Sequence, residues 1–353
     1  MLQSITGLRT VCLVAATPLA LAALVGCLER KETITVRPNG AVRIEMRIQG
    51  EPQDVFTGDQ MPDLRTGWRV DDETVTKDDG KQEFRRVATL DLPAGSALPT
   101  SFAPQDDANH ETALQFPTDV RVERRADGTF YHFKRVYQPR EQARFEYLKS
   151  ALQEAGVFKA AEGKDLAELS TDELSDLVRA LRTIEASKHA QFVQLAVDTV
   201  GEKWPGHFEL LLRAAVTRHF EGAEVAPVVA LLQQPGGEAR DRQIDEFGRR
   251  LTTDARDVLR RTLMDLGAPR RQIEQFFAAY DLEQARRAVT EDIGDETFEV
   301  RVALPGKLIA HDGDLVEDGA VVWKFPGKAL YDRPQTLTAL SRVGPNAERA
   351  AER

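Results

Sequence analysis

From Glu32 to about Arg140, apolar and polar residues alternate with a period near two. Thr33-Ile34-Thr35-Val36 starts the pattern, and Val42, Ile44, Met46 and Ile48 then interleave with Arg43, Glu45 and Arg47. Successive strand side chains point to opposite faces, so this alternation predicts strands with one buried and one wet face, as in an antiparallel sheet. Asn39-Gly40 between the two runs predicts a hairpin turn with positive φ at both residues. Residues 68–76 and 83–90 predict a second strand pair around Asp79-Gly80. Residues 119–124 and 129–137 predict a third, joined by Ala126-Asp127-Gly128. Residues 92–117, rich in Pro, Ala, Ser and Asp, are expected to form a long loop.

Between about 140 and 291 the period lengthens to three and four. Leu174, Leu177, Val178 and Leu181 form one helical stripe, and Phe192, Leu195 and Ala196 a second. Leu210, Leu211, Ala214 and Ala215 make a third, and Val258, Leu259, Leu263 and Leu266 a fourth. Ser170-Thr171-Asp172-Glu173 has the form of a capping box, with a hydroxyl before the helix and a glutamate three residues on. Pro205 suits a first turn, Pro235-Gly236-Gly237 a break, and Gly267-Ala268-Pro269 the end of one helix before the next. Six to eight helices are expected.

Strand character returns at Thr297 with Phe298, Val300 and Val302. It continues through residues 307–310, Leu315-Val316, residues 321–325 and residues 336–343, with turns at Asp312-Gly313 and Asp318-Gly319. These strands are too few for an independent domain, since isolated hairpins are marginal. The expected fold is therefore α+β. An antiparallel β-sheet domain is formed from N- and C-terminal segments (27–140 and 293–345), the second completing the sheet. An all-α helical domain (141–292) is inserted between them, and residues 346–353 form a polar tail.

The first 26 residues read as an address. Arg9 precedes an apolar stretch from Val11 to Val25, interrupted by Pro18 and too short to span a bilayer comfortably. Leu24-Val25-Gly26-Cys27 resembles the bacterial lipobox, in which cleavage precedes a cysteine that is then acylated. By that resemblance Cys27 becomes the mature N-terminus, and its several acyl chains make a stable membrane anchor. Leu28, rather than Asp, at the next position goes with outer-membrane sorting in Gram-negative lipoproteins. The expected location is thus the bacterial cell envelope, lipid-anchored, and in a Gram-negative cell the outer membrane facing the periplasm. Cys12 and Cys27 are the two cysteines. One is lost with the signal and the other acylated, which excludes disulfides and thiolate chemistry from the mature chain.

Glu32-Thr33-Ile34-Thr35-Val36 and Asn39-Gly40 follow the lipobox. At the other end stand Val302-Ala303-Leu304-Pro305-Gly306, Asp312-Gly313, Asp318-Gly319 and Val321-Val322-Trp323. Together these segments resemble the LppM-type bacterial lipoprotein domain, with Asp312-Gly313 where that pattern has Asn-Gly. The resemblance covers the two ends and none of the helical middle. It implies an envelope lipoprotein domain for which envelope-lipid binding has been proposed and no active site is known.

Composition narrows the function further. The chain has 353 residues, 42% hydrophobic and 29% charged, which excludes a disordered or polytopic membrane protein. Its net charge of −10, from 47 Lys+Arg and 57 Asp+Glu, speaks against a nucleic-acid partner. The sequence lacks a Gly-x-Ser-x-Gly elbow, a His-Glu-x-x-His helix, a Gly-x-x-x-x-Gly-Lys loop and an EF-hand loop, so neither cofactor nor metal is expected. His132, beside Tyr131 and Phe133 in a strand, reads as structural or exposed. The doublets Arg124-Arg125, Arg249-Arg250, Arg260-Arg261 and Arg270-Arg271 read as wet faces paired with acids, with contact to anionic head groups as the functional alternative. Trp204 with Phe208, and Phe276-Phe277 with Tyr280, would cluster on helical faces, either as core or as a pocket for an amphiphile. The expected function is a non-enzymatic envelope lipoprotein that binds a lipid, another amphiphile or a protein partner. The alternative is a hydrolase of envelope polymer using paired carboxylates, a chemistry that needs no sequence motif.

Overall fold

A computed structural model describes residues 28–50, 61–62, 64–76, 82–103, 112–142, 166–200, 204–234, 237–294 and 296–345. Cys27 and the preceding segment, the Asp79-Gly80 turn, Pro235-Gly236 and the 346–353 tail lie outside the described residues. Six strands precede the helices: β1 (Glu29–Val36), β2 (Val42–Gly50), β3 (Arg69–Thr76), β4 (Gln82–Leu92), β5 (Thr118–Arg125) and β6 (Gly128–Tyr137). Five helices follow among the described residues: α1 (Thr171–Val200), α2 (Gly206–Gly222), α3 (Ala226–Leu232), α4 (Glu238–Asp265) and α5 (Arg270–Gly294). Five more strands close the chain: β7 (Thr297–Ala303), β8 (Lys307–His311), β9 (Leu315–Glu317), β10 (Ala320–Pro326) and β11 (Gln335–Val343). The class is α+β, with the helical segment between N- and C-terminal strands. Residues 142–288 form one compact unit, and residues 26–141 with 289–353 form another.

The strands of the second unit build two sheets rather than one. The larger has the order β3-β4-β2-β1-β7-β10-β9 and the smaller β5-β6-β11-β8, so each draws strands from both ends of the chain. Their inner faces share one apolar core, with Ile34, Ile44 and Val302 from the first sheet and Phe133, Leu337 and Ala339 from the second. The pairing is antiparallel except at the seam, where β1 runs parallel to β7 with Glu29 beside Thr297 and Ile34 beside Val302. A parallel pair requires a long crossover. Here the crossover comprises all of the chain from β2 through α5.

Turn chemistry places these strands. Asp318 (φ +51) and Gly319 (φ +79) make a two-residue turn with Glu317 opposite Ala320, the left-handed pair a short hairpin needs. Asn39-Gly40 differs from the expectation. Val36 lies opposite Val42 across a five-residue loop in which Gly40 (φ +85) is left-handed and Asn39 is not. The Asn39 side chain instead accepts a hydrogen bond from the Ala41 amide (3.0 Å), an Asx turn. Between the two sheets, the Asp312 carboxylate accepts bonds from Trp323 Nε1 (2.9 Å) of one sheet and the Thr338 amide (2.7 Å) of the other. That carboxylate pins the corner where the chain changes sheets.

The inward phase of β1 is apolar at one end only. Ile34 and Val36 continue as Arg30 and Glu32, both buried. Glu32 pairs with Arg135 of β6, itself 1% exposed. The Arg135 Nε donates to Thr118 Oγ1 (2.8 Å), and Nη1 donates to the Tyr137 hydroxyl (3.2 Å). Burial disfavours the Arg135 charge, yet Glu32 and Tyr137 more than offset this and raise its pKa above the ordinary arginine value. Burial in turn pushes the Tyr137 hydroxyl up to about 12. Arg30 forms a two-pronged pair with Glu296 (2.9 and 2.5 Å), just before β7. Stacked Phe298 and Phe325 (centroids 5.1 Å apart), with Tyr137 against both, line this end of the core.

Among the described residues the helical unit has two apolar clusters. α1 is one 30-residue helix. Its first half (Leu174, Leu177, Ile184) packs with Val229, Leu232 and Ile244. Its second half (Phe192, Val193, Ala196) packs with α2, α4 and α5. The two stripes that read as separate helices are halves of one. Its start is the expected capping box, with the Glu173 amide on Ser170 Oγ (3.2 Å) and the Ser170 amide on Glu173 Oε2 (2.8 Å). α4 ends in a Schellman motif at Gly267 (φ +74): Ala268 N bonds Leu263 O (3.0 Å) and Gly267 N bonds Met264 O (2.9 Å).

We expect Glu32→Gln, which leaves the Arg135 charge buried without its counter-ion, to cost about 3–5 kcal/mol. The double variant Glu32→Leu/Arg135→Met should recover more than half of that loss. Urea unfolding in a Trp204→Phe background checks both, because the two remaining tryptophans, Trp68 and Trp323, lie in the β unit.

Candidate functional site

The hairpin β5–β6 places Asp119 opposite Lys134 and Arg121 opposite His132. Alternation puts these four on the outer face of the smaller sheet, since Phe133 and Arg135 point inward. β11 continues that face, with Thr338 beside Lys134 and Leu340 beside His132, and β8 adds Ala310 beside Leu340. The result is an open groove of about 430 Å³ across the sheet, bordered also by His311. β8 bulges at Ile309, where the register with β11 slips between Leu340 and Ser341. A bulge bends its strand locally and leaves one residue unpaired.

The groove carries charges of both signs, Arg121 and Lys134 with Asp119 and Asp312. Arg121, Lys134, His132 and His311 stand on its rim, with Arg125 and Arg342 further along the same face, each over the Phe130 ring. Glu123 gathers three of these side chains: Arg125 (2.9 Å), His132 Nε2 (3.5 Å) and Arg121 (3.8 Å). The hydrogen bond from Arg125, followed by the Arg125 and Arg121 charges and His132, holds the Glu123 carboxyl below its ordinary pKa. Asp312 borders the groove too, but its carboxylate already holds the sheet-to-sheet corner. What remains is a shallow apolar strip, Leu340 and Ala310, edged by Arg121, Lys134, Asp119 and two imidazoles. Such a surface suits an anionic or zwitterionic head group.

Trp204, Phe208, Phe276, Phe277 and Tyr280 lie in one cluster of the helical unit, and all five are buried. They fill one another's space: Trp204 stacks on Phe276 (5.7 Å, 21°), and Phe276 stacks on Tyr280 (5.8 Å, 20°). Arg256 and Arg260 cover the Phe277 ring at 4.4 and 4.7 Å. Among the described residues the buried Trp204 indole N–H has no hydrogen-bond partner.

Sequence reading did not single out His189. It lies 3% exposed in α1, stacks on Phe220 of α2 (4.4 Å, 26°), and its Nδ1 bonds the Tyr280 hydroxyl of α5 at 2.5 Å. Burial, then the neighbouring Lys188 and His219 charges, lowers its pKa to about 3. Sequence reading gave His132 as structural or exposed and passed over Arg121, Lys134 and His311. The signal for the first three was the hairpin register implied by Ala126-Asp127-Gly128, which sets them across from one another; nothing in the sequence brought His311 beside them.

Among the described residues no group of three or more His, Cys, Asp and Glu is placed to hold a metal, and no helix is long and apolar enough to cross a membrane. Together the fold and groove describe a two-sheet sandwich with a helical insertion and an open face lined by Arg121, Lys134 and two imidazoles with Asp119 and Asp312. No protein-family model matches the sequence, and no curated protein matches it. Among solved structures, the NMR structure of the folded domain of Mycobacterium tuberculosis LppM aligns with 92% of this chain and 95% of that one. The identity is 11% and the TM-score 0.27. What the groove does rests on its own residues.

His189 gives a pH prediction with a definite sign. Its pKa is near 3 folded and about 6.5 unfolded, so the unfolded chain binds the extra proton between those values. The contribution is complete above about pH 6.5 and is lost as pH falls toward 3, on the order of a few kcal/mol. We expect helix content to become more urea-sensitive across that window. His189→Leu should flatten the dependence, and an unchanged slope would count against this role.

Proposed function

We propose that this protein is a lipid-anchored protein of the bacterial cell envelope. Cys27 carries the anchor, and the folded body binds rather than catalyses. The observation that carries the binding reading is the groove: four cationic or protonatable side chains edge an apolar strip in a chain whose net charge is −10. Arg121 and Lys134 attract the anionic group of an amphiphile while Leu340 and Ala310 contact its first methylenes. An acid–base pair is not what this geometry favours. Of the two carboxylates bordering the groove, Asp312 accepts hydrogen bonds that hold the sheet corner, and Asp119 stands opposite Lys134.

Binding is measured by titrating the protein lacking residues 1–27 with micelles of an anionic phospholipid and with micelles of phosphatidylcholine. Arg121→Glu/Lys134→Glu should weaken association with the anionic micelles by at least tenfold and leave the phosphatidylcholine series little changed. Equal binding of both micelles by wild type and variant would sink the groove reading. Independently, Cys27→Ala should move the full chain from the membrane to the soluble fraction.

A further inference from the structure

We propose that the end of the sandwich at which the mature chain begins rests directly on the bilayer, held there without a linker. This rests on the lipid anchor proposed above, and adds an orientation and a contact surface to it. Leu28, the residue after Cys27, is already part of the core at 4% exposure. Its carbonyl accepts the Thr297 amide (3.0 Å). Glu29 is paired on both sides, with Gln49 and with Thr297, and Arg30 is locked to Glu296. Consecutive Cα atoms are about 3.8 Å apart, so the acylated residue has one peptide unit of freedom from a fixed point. A tether that short leaves no room for the body to stand off the membrane.

The surface presented at that end follows from the strand ends. Thr297 opens β7, and Pro326 closes β10 opposite it. The turn Gly327–Leu330 and the loop through Asp332, Arg333 and Pro334 follow. The Leu330 carbonyl accepts the Arg140 amide (2.8 Å), which brings the end of β6 to the same place. Lys328, Asp332 and Arg333 are exposed there, a polar set that suits contact with head groups rather than insertion among acyl chains. β1 runs away from this end, and eight residues at about 3.3 Å each carry the chain roughly 25 Å, to the Asn39-Gly40 loop. The groove lies partway up. Tyr137–Gln335 is the pair nearest the base, and His132–Leu340 lies five residues higher, roughly 17 Å. Its ligand is therefore a group reaching out of the bilayer or a free molecule.

The chain offers a clean test, because its mature form has no cysteine other than acylated Cys27. Lys328→Cys, Arg333→Cys and Asn39→Cys each add a single reactive thiol to the full lipidated protein. Each is labelled with a fluorophore and reconstituted in phosphatidylcholine vesicles carrying a head-group quencher. Labels at 328 and 333 should be quenched at least threefold more than the label at 39. Equal quenching, or stronger quenching at 39, overturns the orientation. Flotation separates this from the anchor: if wild type and Cys27→Ala both float, or neither does, the anchor fails and the orientation with it. If only wild type floats and the quenching order is reversed, the orientation alone fails.

Discussion

Two buried ion pairs at one end of the sandwich constrain everything around them. Charges taken from water cost several kcal/mol each unless partnered well. Arg30 can be satisfied only if Glu296, which enters from α5, reaches β1. Glu32 can be satisfied only if Arg135 of the other sheet faces it. The pairs therefore tie together three stretches that are remote in sequence: the first strand, the strand before the helices and the turn after them. A slip of β1 by one residue would turn both charges outward and bring Lys31 and Thr33 into the core. Such pairs need not add net stability compared with apolar residues of the same shape. Their effect is on which pairing is possible.

How far this was legible in the sequence depends on the range of the interaction. Local signals transferred directly. Ser170 with Glu173, the Gly267-Ala268-Pro269 stop and the Asp318-Gly319 turn each act within five residues, where spacing alone specifies the bond. The α+β class followed from the change of period. Partition into two sheets was not legible, because alternation states that a strand has two faces and not which strand lies beside it. The buried charges were half visible. Arg30 and Glu32 stand in phase with Ile34 and Val36, so alternation already pointed them inward. Their partners, 266 and 103 residues away, had no local mark.

The candidate sites divide the same way. The aromatic cluster was readable because i, i+3 and i+4 spacing puts Phe276, Phe277 and Tyr280 on neighbouring faces of one helix. What the spacing could not supply was His189, whose bond to Tyr280 crosses from α1 to α5. The groove needed two steps of inference: first the hairpin register, then the neighbouring strand β11 from the far end of the chain. Isolated charges such as Lys134 become a site only when that second strand supplies Leu340 beside them.

The helical insertion bears on why the ion pairs sit where they do. Closing a long loop costs entropy that grows only logarithmically with its length, so inserting a whole folded unit between β6 and β7 is thermodynamically mild. What a long insertion removes is any guidance that a short turn would give to register. In β9–β10 the two-residue turn sets the pairing by itself. At β1–β7 no turn exists, and the strands are parallel, the arrangement that tight turns cannot make. Specific contacts at the seam must set the register instead. Arg30 with Glu296 stands beside its first pair, Glu29 with Thr297, and Tyr331 reaches from its hydroxyl to the Thr290 carbonyl in the last turns of α5. Gly294 and Gly327 allow the close approach there: a Cβ on either would fall within 2 Å of the Tyr331 hydroxyl or the Ile293 carbonyl. The seam is thus held by side-chain chemistry and close packing where the connection itself cannot help. It lies at the end where Leu28 leads into β1, so any force on the chain before β1 reaches the strand most in need of registration first.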